Sequence, residues 1–252
     1  MEEYDDIYGE LSESGTMDIS HKNFNILDDS LFDYKEKIRT LDFSYNRIQS
    51  IPPAIASLSN LQILNASCNN LTSLCPEISY CVRLKILKLN GNKIKAIPKE
   101  IGKLICLEEL YLSENELEYI PEAIGSLKSL RVLTLQNNSL IEIDAALGDC
   151  LSIESLDCSN NPSLKNIPPN LSADTKTMMW LLRFQRGLIQ NYRDVKISNQ
   201  ELEEHARSAD KERMANSLLR EENEKLKVLV DRYEDERPEM YLKIKSKVCV
   251  IS

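Results

Sequence analysis

Residues 84–106 read LKILKLNGNKIKAIPKEIGKLIC, and residues 107–129 read LEELYLSENELEYIPEAIGSLKS. Laid over one another, the two stretches share aliphatics at positions 1, 4, 6, 11, 14, 18 and mostly 21, and an asparagine at position 9. The frame extends in both directions. It opens at Ile38, Leu61, Leu84, Leu107, Leu130 and Ile153, 23 residues apart each time, and position 9 is Asn46, Asn69, Asn92, Asn115, Asn138 and Asn161. Positions 3 to 7 alternate inward and outward, as a strand does. The inward aliphatics of one copy find cover only against the next copy, so the copies stack together or not at all. The asparagine falls where the chain leaves the strand. Its amide offers two donors and an acceptor to backbone groups that turning would leave unpaired.

This is the leucine-rich repeat pattern. It predicts an α/β solenoid, a horseshoe with a parallel sheet on its concave face, over residues 38–171, followed by C-terminal helices. The ends of the array degrade. Residues 14–37 keep Met17, Ile19, Phe24, Leu27 and Leu31 in phase but place Lys22 where asparagine belongs, which reads as an N-terminal cap repeat. Residues 1–13 are expected to form a disordered acidic N-terminus. The last repeat gains one residue in NNPSLKNIP. Residues 172–190 then read as a cap helix, with Trp180, Phe184 and Leu188 four apart and Leu181 beside them. From Ser198, with Glu201 as a capping-box partner, residues 198–237 read as a long charged helix. Leu219, Leu226 and Tyr233 lie seven apart on it, which leaves weak coiled-coil dimerisation as an alternative. Residues 238–252 read as a flexible basic tail.

The chain has 252 residues, 42% of them hydrophobic, and a net charge of −9. Glu2, Glu3, Asp5, Asp6, Glu10 and Glu13 supply much of that charge, and no basic stripe argues for nucleic-acid binding. No run of about 18 apolar residues suggests a spanning helix. An acidic start without a basic-then-apolar signal leads us to expect a cytoplasmic protein. Seven cysteines show no zinc-ligand spacing, so most are expected to be small buried hydrophobes. There is no phosphate-binding glycine loop and no nucleophile elbow, and His21 and His205 have no nucleophile nearby in sequence. We therefore expect no enzyme, with no catalytic residue, cofactor or metal.

The expected working surface is the concave face, built from outward positions 3, 5, 7 and 8 of each strand. Its candidate binding residues are Tyr45, Lys88, Glu109, Tyr111, Glu114 and Thr134, an aromatic and polar set beside a partly apolar row at position 3. The residues Cys249-Val250-Ile251-Ser252 match a C-a-a-X prenylation signal, with serine favouring farnesyl on Cys249. Lys243, Lys245 and Lys247 would add contacts to an anionic membrane surface. Reversible attachment to the cytosolic face of membranes is expected from the two together.

The Ile-Pro pairs Ile51-Pro52, Ile97-Pro98, Ile120-Pro121 and Ile167-Pro168 give the frame a finer resemblance. It resembles the Ras-suppressor leucine-rich repeat proteins of animals and the plant intracellular Ras-group leucine-rich repeat proteins. The second and fifth repeats depart from it, with Leu74-Cys75 and Ile143-Asp144. The last four residues resemble the prenylated ends of Ras-like GTPases. These resemblances imply a membrane-tethered adaptor in small-GTPase or related signalling, with trimming and methylation after Cys249. A phosphatase-regulatory leucine-rich repeat protein and a cytoskeletal scaffold remain as alternatives.

Overall fold

The computed structural model of the chain describes residues 11–167, 169 and 172–205. Two compact units divide between Leu188 and Ile189. In the first, seven three-residue strands lie parallel in chain order. They are β1 (Thr16–Asp18), β2 (Thr40–Asp42), β3 (Ile63–Asn65), β4 (Ile86–Lys88), β5 (Glu109–Tyr111), β6 (Val132–Thr134) and β7 (Ser155–Asp157). The register never slips: Thr40 pairs with Ile63, Ile63 with Ile86, Ile86 with Glu109. A constant repeat length demands this, because a one-residue slip would turn every buried leucine outward.

The middle residue of each strand points into the solenoid. Leu41, Leu64, Leu87, Leu110 and Leu133 are all fully buried. A leucine withdrawn from water contributes about 2 kcal/mol, and here that gain exists only while the neighbouring coil is folded. The opposite wall is a stack of short 3-10 turns, including Pro53–Ser57, Pro76–Tyr80, Lys99–Lys103, Glu122–Ser126 and Ala145–Asp149. Each is entered through an extended residue. Pro52, Pro98 and Pro121 hold φ near −70° there by ring closure. Cys75 and Asp144 adopt the same conformation without a ring, at φ −68° and −60°. Asp144 compensates by accepting from Ala146 N–H through its carboxylate. The two departures from Ile-Pro thus leave the coil path unchanged.

The asparagine ladder is complete from the second coil onward. Asn92 Oδ1 accepts from Leu71 N–H at 3.0 Å, and its Nδ2 donates to the carbonyls of Ala66 (3.0 Å) and Leu89 (2.9 Å). Asn69, Asn115, Asn138 and Asn161 repeat the arrangement one coil apart, and Asn46 stitches the first coil to the second in the same way. All six are buried. Their role is structural: each buried amide ties two coils together.

Both edges of the sheet are closed by a hydroxyl residue. At β1, Ser12 N–H donates to the Thr16 carbonyl and Ser12 Oγ accepts from Thr16 N–H. At β7, Thr175 Oγ1 accepts from Leu156 N–H at 2.9 Å and donates to the Leu156 carbonyl at 3.1 Å. Unpaired edge groups would otherwise offer a template for aggregation.

Thr175 also starts α1 (Thr175–His205), whose N-terminus is capped by Asp174 accepting from Thr177 N–H. Met178, Met179, Leu181 and Leu182 are its buried face, while Trp180 and Phe184, stacked at 5.5 Å, are only half-buried. The methionines do the covering that the sequence pattern assigned to the aromatics. The boundary expected between residues 190 and 198 is not there, since α1 runs through it to His205. That stretch contains neither glycine nor proline, so nothing in it stops a helix. The remaining charged-helix residues, Leu219, Leu226 and Tyr233 among them, lie outside the described residues. No helix among the described residues is long and apolar enough to cross a membrane.

Candidate protein-binding face

Two features of the concave face are set by the backbone. The first is at position 8. His21, Tyr45, Cys68, Glu114, Asn137 and Asn160 all hold φ between 55° and 57°, and Gly91 holds 65°. The chain leaves every strand through one left-handed residue, a conformation that glycine and asparagine reach most easily. Gly91, Asn137 and Asn160 were the signal for it in the sequence, and the repeat reading passed over it.

The second feature is an Asx turn at position 5. Asp18, Asp42, Asn65 and Asp157 each accept, through the side-chain oxygen, from the backbone N–H two residues on, at Ser20, Ser44, Ser67 and Ser159. The three consecutive coils between them give this bond up. Their position-5 residues are Lys88, Tyr111 and Thr134, two of which have no acceptor suited to it. A side-chain bond of this kind contributes about 1 kcal/mol. The middle of the face therefore departs from the rule that the flanking coils obey.

What stands there is an ordered polar cluster. Lys88 Nζ lies over the Tyr111 ring, 5.7 Å from its centroid. The Tyr111 hydroxyl donates to Glu109 Oε2 at 2.7 Å, and this bond, with partial burial and the Glu109 charge, raises the phenol above its ordinary range. Thr134 pairs with Tyr111 across the ladder, and its Oγ1 accepts from Leu112 N–H at 3.3 Å. Half-buried Ile63, Ile86 and Val132 lie beside this row at position 3. Lys88, Glu109, Tyr111 and Thr134 thus lie together on neighbouring strands.

Tyr45 is not part of that cluster. It stacks on His21 at 4.3 Å, 54% exposed, at the exit from β2. A hydrogen bond to Cys68 and the electrostatic effect of that sulfur push its phenol upward, with smaller contributions from desolvation and the Glu114 charge. Glu114 is exposed on the left-handed residue after β5. Position 7 was read as outward, yet Ser44 and Ser113 are buried, because the turn folds that residue back against the next coil.

The cysteines divide by place. Cys81 and Cys150 take the leucine position 21 and donate their thiols to the carbonyls of Ile55 (3.3 Å) and Ile124 (3.1 Å). Burial pushes the thiols of Cys81 and Cys158 up to about 12 and that of Cys150 up to about 11. Cys106 is exposed, so it is not one of the buried hydrophobes expected from sequence. No group of three or more His, Cys, Asp or Glu among the described residues could hold a metal ion. Cys249, Lys243, Lys245 and Lys247 lie outside the described residues.

Models of the leucine-rich repeat match residues 59–117 and 82–140, and a model of two such repeats matches residues 36–79. No curated protein matches the chain. Among solved structures, a leucine-rich repeat protein of Leptospira interrogans is 28% identical with a TM-score of 0.52, over 63% of this chain and 46% of that one. A plant peptide hormone receptor in complex with RGF2 is 29% identical, with a TM-score of 0.49 over 57% of this chain and 24% of the receptor. An internalin of Listeria monocytogenes is 23% identical, with a TM-score of 0.45 over 51% of this chain and 37% of that one. The chain thus spans less than half the length of each. The seven in-register coils, the buried asparagine at every turn from the second coil on and the family-model matches over residues 36–140 identify this part of the chain as an array of leucine-rich repeats.

Proposed function

We propose that this protein is a non-enzymatic adaptor whose concave face docks a protein partner, with the contact centred on β4–β6. One observation carries the reading. Lys88, Tyr111 and Thr134 occupy the position where the flanking coils keep a turn acceptor, and they form an ordered cluster with Glu109. An aromatic held between a cation and a carboxylate, with aliphatics beside it, has the composition of a binding hot spot. In the finer form of the proposal the partner is a small GTPase or related signalling protein, as the Ile-Pro repeat frame suggests. A phosphatase subunit or a cytoskeletal protein as the main partner would favour the alternatives instead. Lipidation of Cys249 and the lysines 243, 245 and 247 would hold the adaptor at anionic membranes.

The test is recovery of the main partner from cells with the wild-type chain and with Lys88→Glu combined with Tyr111→Ala. Both side chains face away from the core, so the variant should melt as the wild type does. Recovery should be lost. Undiminished recovery from a normally folded variant would move the contact elsewhere. Membrane tethering has its own test, the intact mass of protein from eukaryotic cells beside Cys249→Ser. An unmodified Cys249 would end that part of the proposal.

A further inference from the structure

Along position 5 the seven strands carry Asp18, Asp42, Asn65, Lys88, Tyr111, Thr134 and Asp157. The Asx turn needs a side-chain oxygen but not a charge, since Asn65 makes it with an amide. The negative charges at Asp18, Asp42 and Asp157 are therefore more than the turn requires. The bonds from Ser20 hold the Asp18 carboxyl below its usual range. Lys88 stands between these acids with the opposite sign, and no carboxylate among the described residues forms an ion pair with it. Glu109 and Glu114, one coil beyond Lys88, extend the negative side toward Asp157. These carboxylates are spread over the strands and do not converge on one point, which is the geometry of an extended ligand and not of an ion.

The spacing converts into a partner. Neighbouring strands lie about 4.8 Å apart, so Asp42 to Lys88 is about 10 Å and Lys88 to Asp157 about 14 Å. An extended chain advances about 3.4 Å per residue and turns only every second side chain to one face, so the same-face spacings nearest those distances are two and four residues, with a long basic side chain making up the shortfall of about 3 Å. We propose that the concave face reads an extended protein segment laid across the strands, with basic residues about six apart and a carboxylate between them, two residues from the Asp42 end. The carboxylate meets Lys88, and the bases meet Asp42 and Asp157. Exposed Tyr45 adjoins the Asp42 end and offers a ring to the first basic side chain. This inference rests on the binding-face reading above and adds the order of charges.

Two peptides of one composition test it: Lys-Ser-Asp-Ser-Thr-Ser-Lys and Asp-Ser-Lys-Ser-Thr-Ser-Lys. They are displayed densely on a sensor surface so that weak binding registers, and the intact protein is passed over both. At low ionic strength the first should bind about tenfold more tightly, the equivalent of a few exposed charge pairs. The preference should fade as salt screens it. Lys88→Glu should abolish the preference, because each peptide then makes two matched contacts and one mismatched. Equal binding of the two peptides to the wild type, binding of neither, or a preference unmoved by Lys88→Glu would overturn the proposal. Failure of the binding-face reading shows differently, as partner recovery that ignores the Lys88→Glu and Tyr111→Ala substitutions.

Discussion

Asn92→Ala should destabilise the solenoid clearly although it removes no apolar contact. The wild-type amide accepts from Leu71 N–H at 3.0 Å and donates to the carbonyls of Ala66 and Leu89 at 3.0 and 2.9 Å. Asn92 is only 8% exposed, so water cannot fully replace it. The Ala66 and Leu89 carbonyls keep Asn69 and Asn115 as donors, so only Leu71 N–H is left without a partner; that costs about 1–3 kcal/mol, and the two lost carbonyl bonds bring the total to about 2–4 kcal/mol. That is a large share of the about 5–15 kcal/mol that hold a typical domain. Because the three groups belong to two adjacent coils, the loss spreads along the stack. Asn92→Asp sharpens the test. It keeps the acceptor for Leu71 but turns a carboxylate oxygen toward two carbonyls, so it should be at least as damaging at neutral pH. It should recover partly in mild acid, where the new carboxyl gains a proton to donate. Urea unfolding followed by circular dichroism measures both. A loss below about 1 kcal/mol for Asn92→Ala would refute the reasoning, for it would mean that the ladder is incidental to the stack.

Other consequences follow from packing and from thiol chemistry. Iodoacetamide at pH 8 should label Cys106 in the native protein and spare Cys81, Cys150 and Cys158, whose thiols lie at about 12, 11 and 12; mass spectrometry of tryptic peptides counts the adducts. Gly125→Ala should destabilise by roughly 2 kcal/mol or more, by forcing strain into a close-packed site, because a Cβ there would press on the Ala146 carbonyl oxygen. Gly187→Ala meets open space within α1 and should stabilise that helix by up to about 1 kcal/mol, seen as slower amide exchange around residue 187. Thr175→Val keeps the shape but strips both bonds from Leu156. It should lower the melting temperature and promote aggregation through the freed β7 edge, read by light scattering during a thermal ramp.

The repeat frame made most of the fold legible, because one period of 23 fixes strand, turn and register together. Asn46 through Asn161 could be assigned to backbone bonding from their chemistry alone. The cap was harder. Trp180 and Phe184 looked like its core on size, whereas the face that docks is set by the rotation of α1 after Thr175, and that rotation puts Met178 and Leu182 inside. The end of the cap helix was misplaced because capping residues such as Ser198 also occur inside helices when nothing breaks them. At the binding face, Lys88, Tyr111 and Glu109 were legible as outward residues of neighbouring strands. Their mutual geometry was not, since it depends on rotamers chosen across two coils. The Asx turn was hidden for a different reason. It is local to each coil, so only when Asp18, Asp42, Asn65 and Asp157 are seen bonded does the absence at Lys88, Tyr111 and Thr134 acquire meaning.

The central claim is that β4–β6 on the concave face are where a partner sits. A photo-crosslinking side chain placed singly at position 111, 134, 105 or 151 tests it most directly. Ile105 and Leu151 are the natural controls, 63% and 74% exposed and apolar but on the turns that lead from the 3-10 wall to the next strand. The account predicts that one partner is captured from positions 111 and 134 and not from 105 or 151. Capture of that partner from 105 and 151 alone would contradict it.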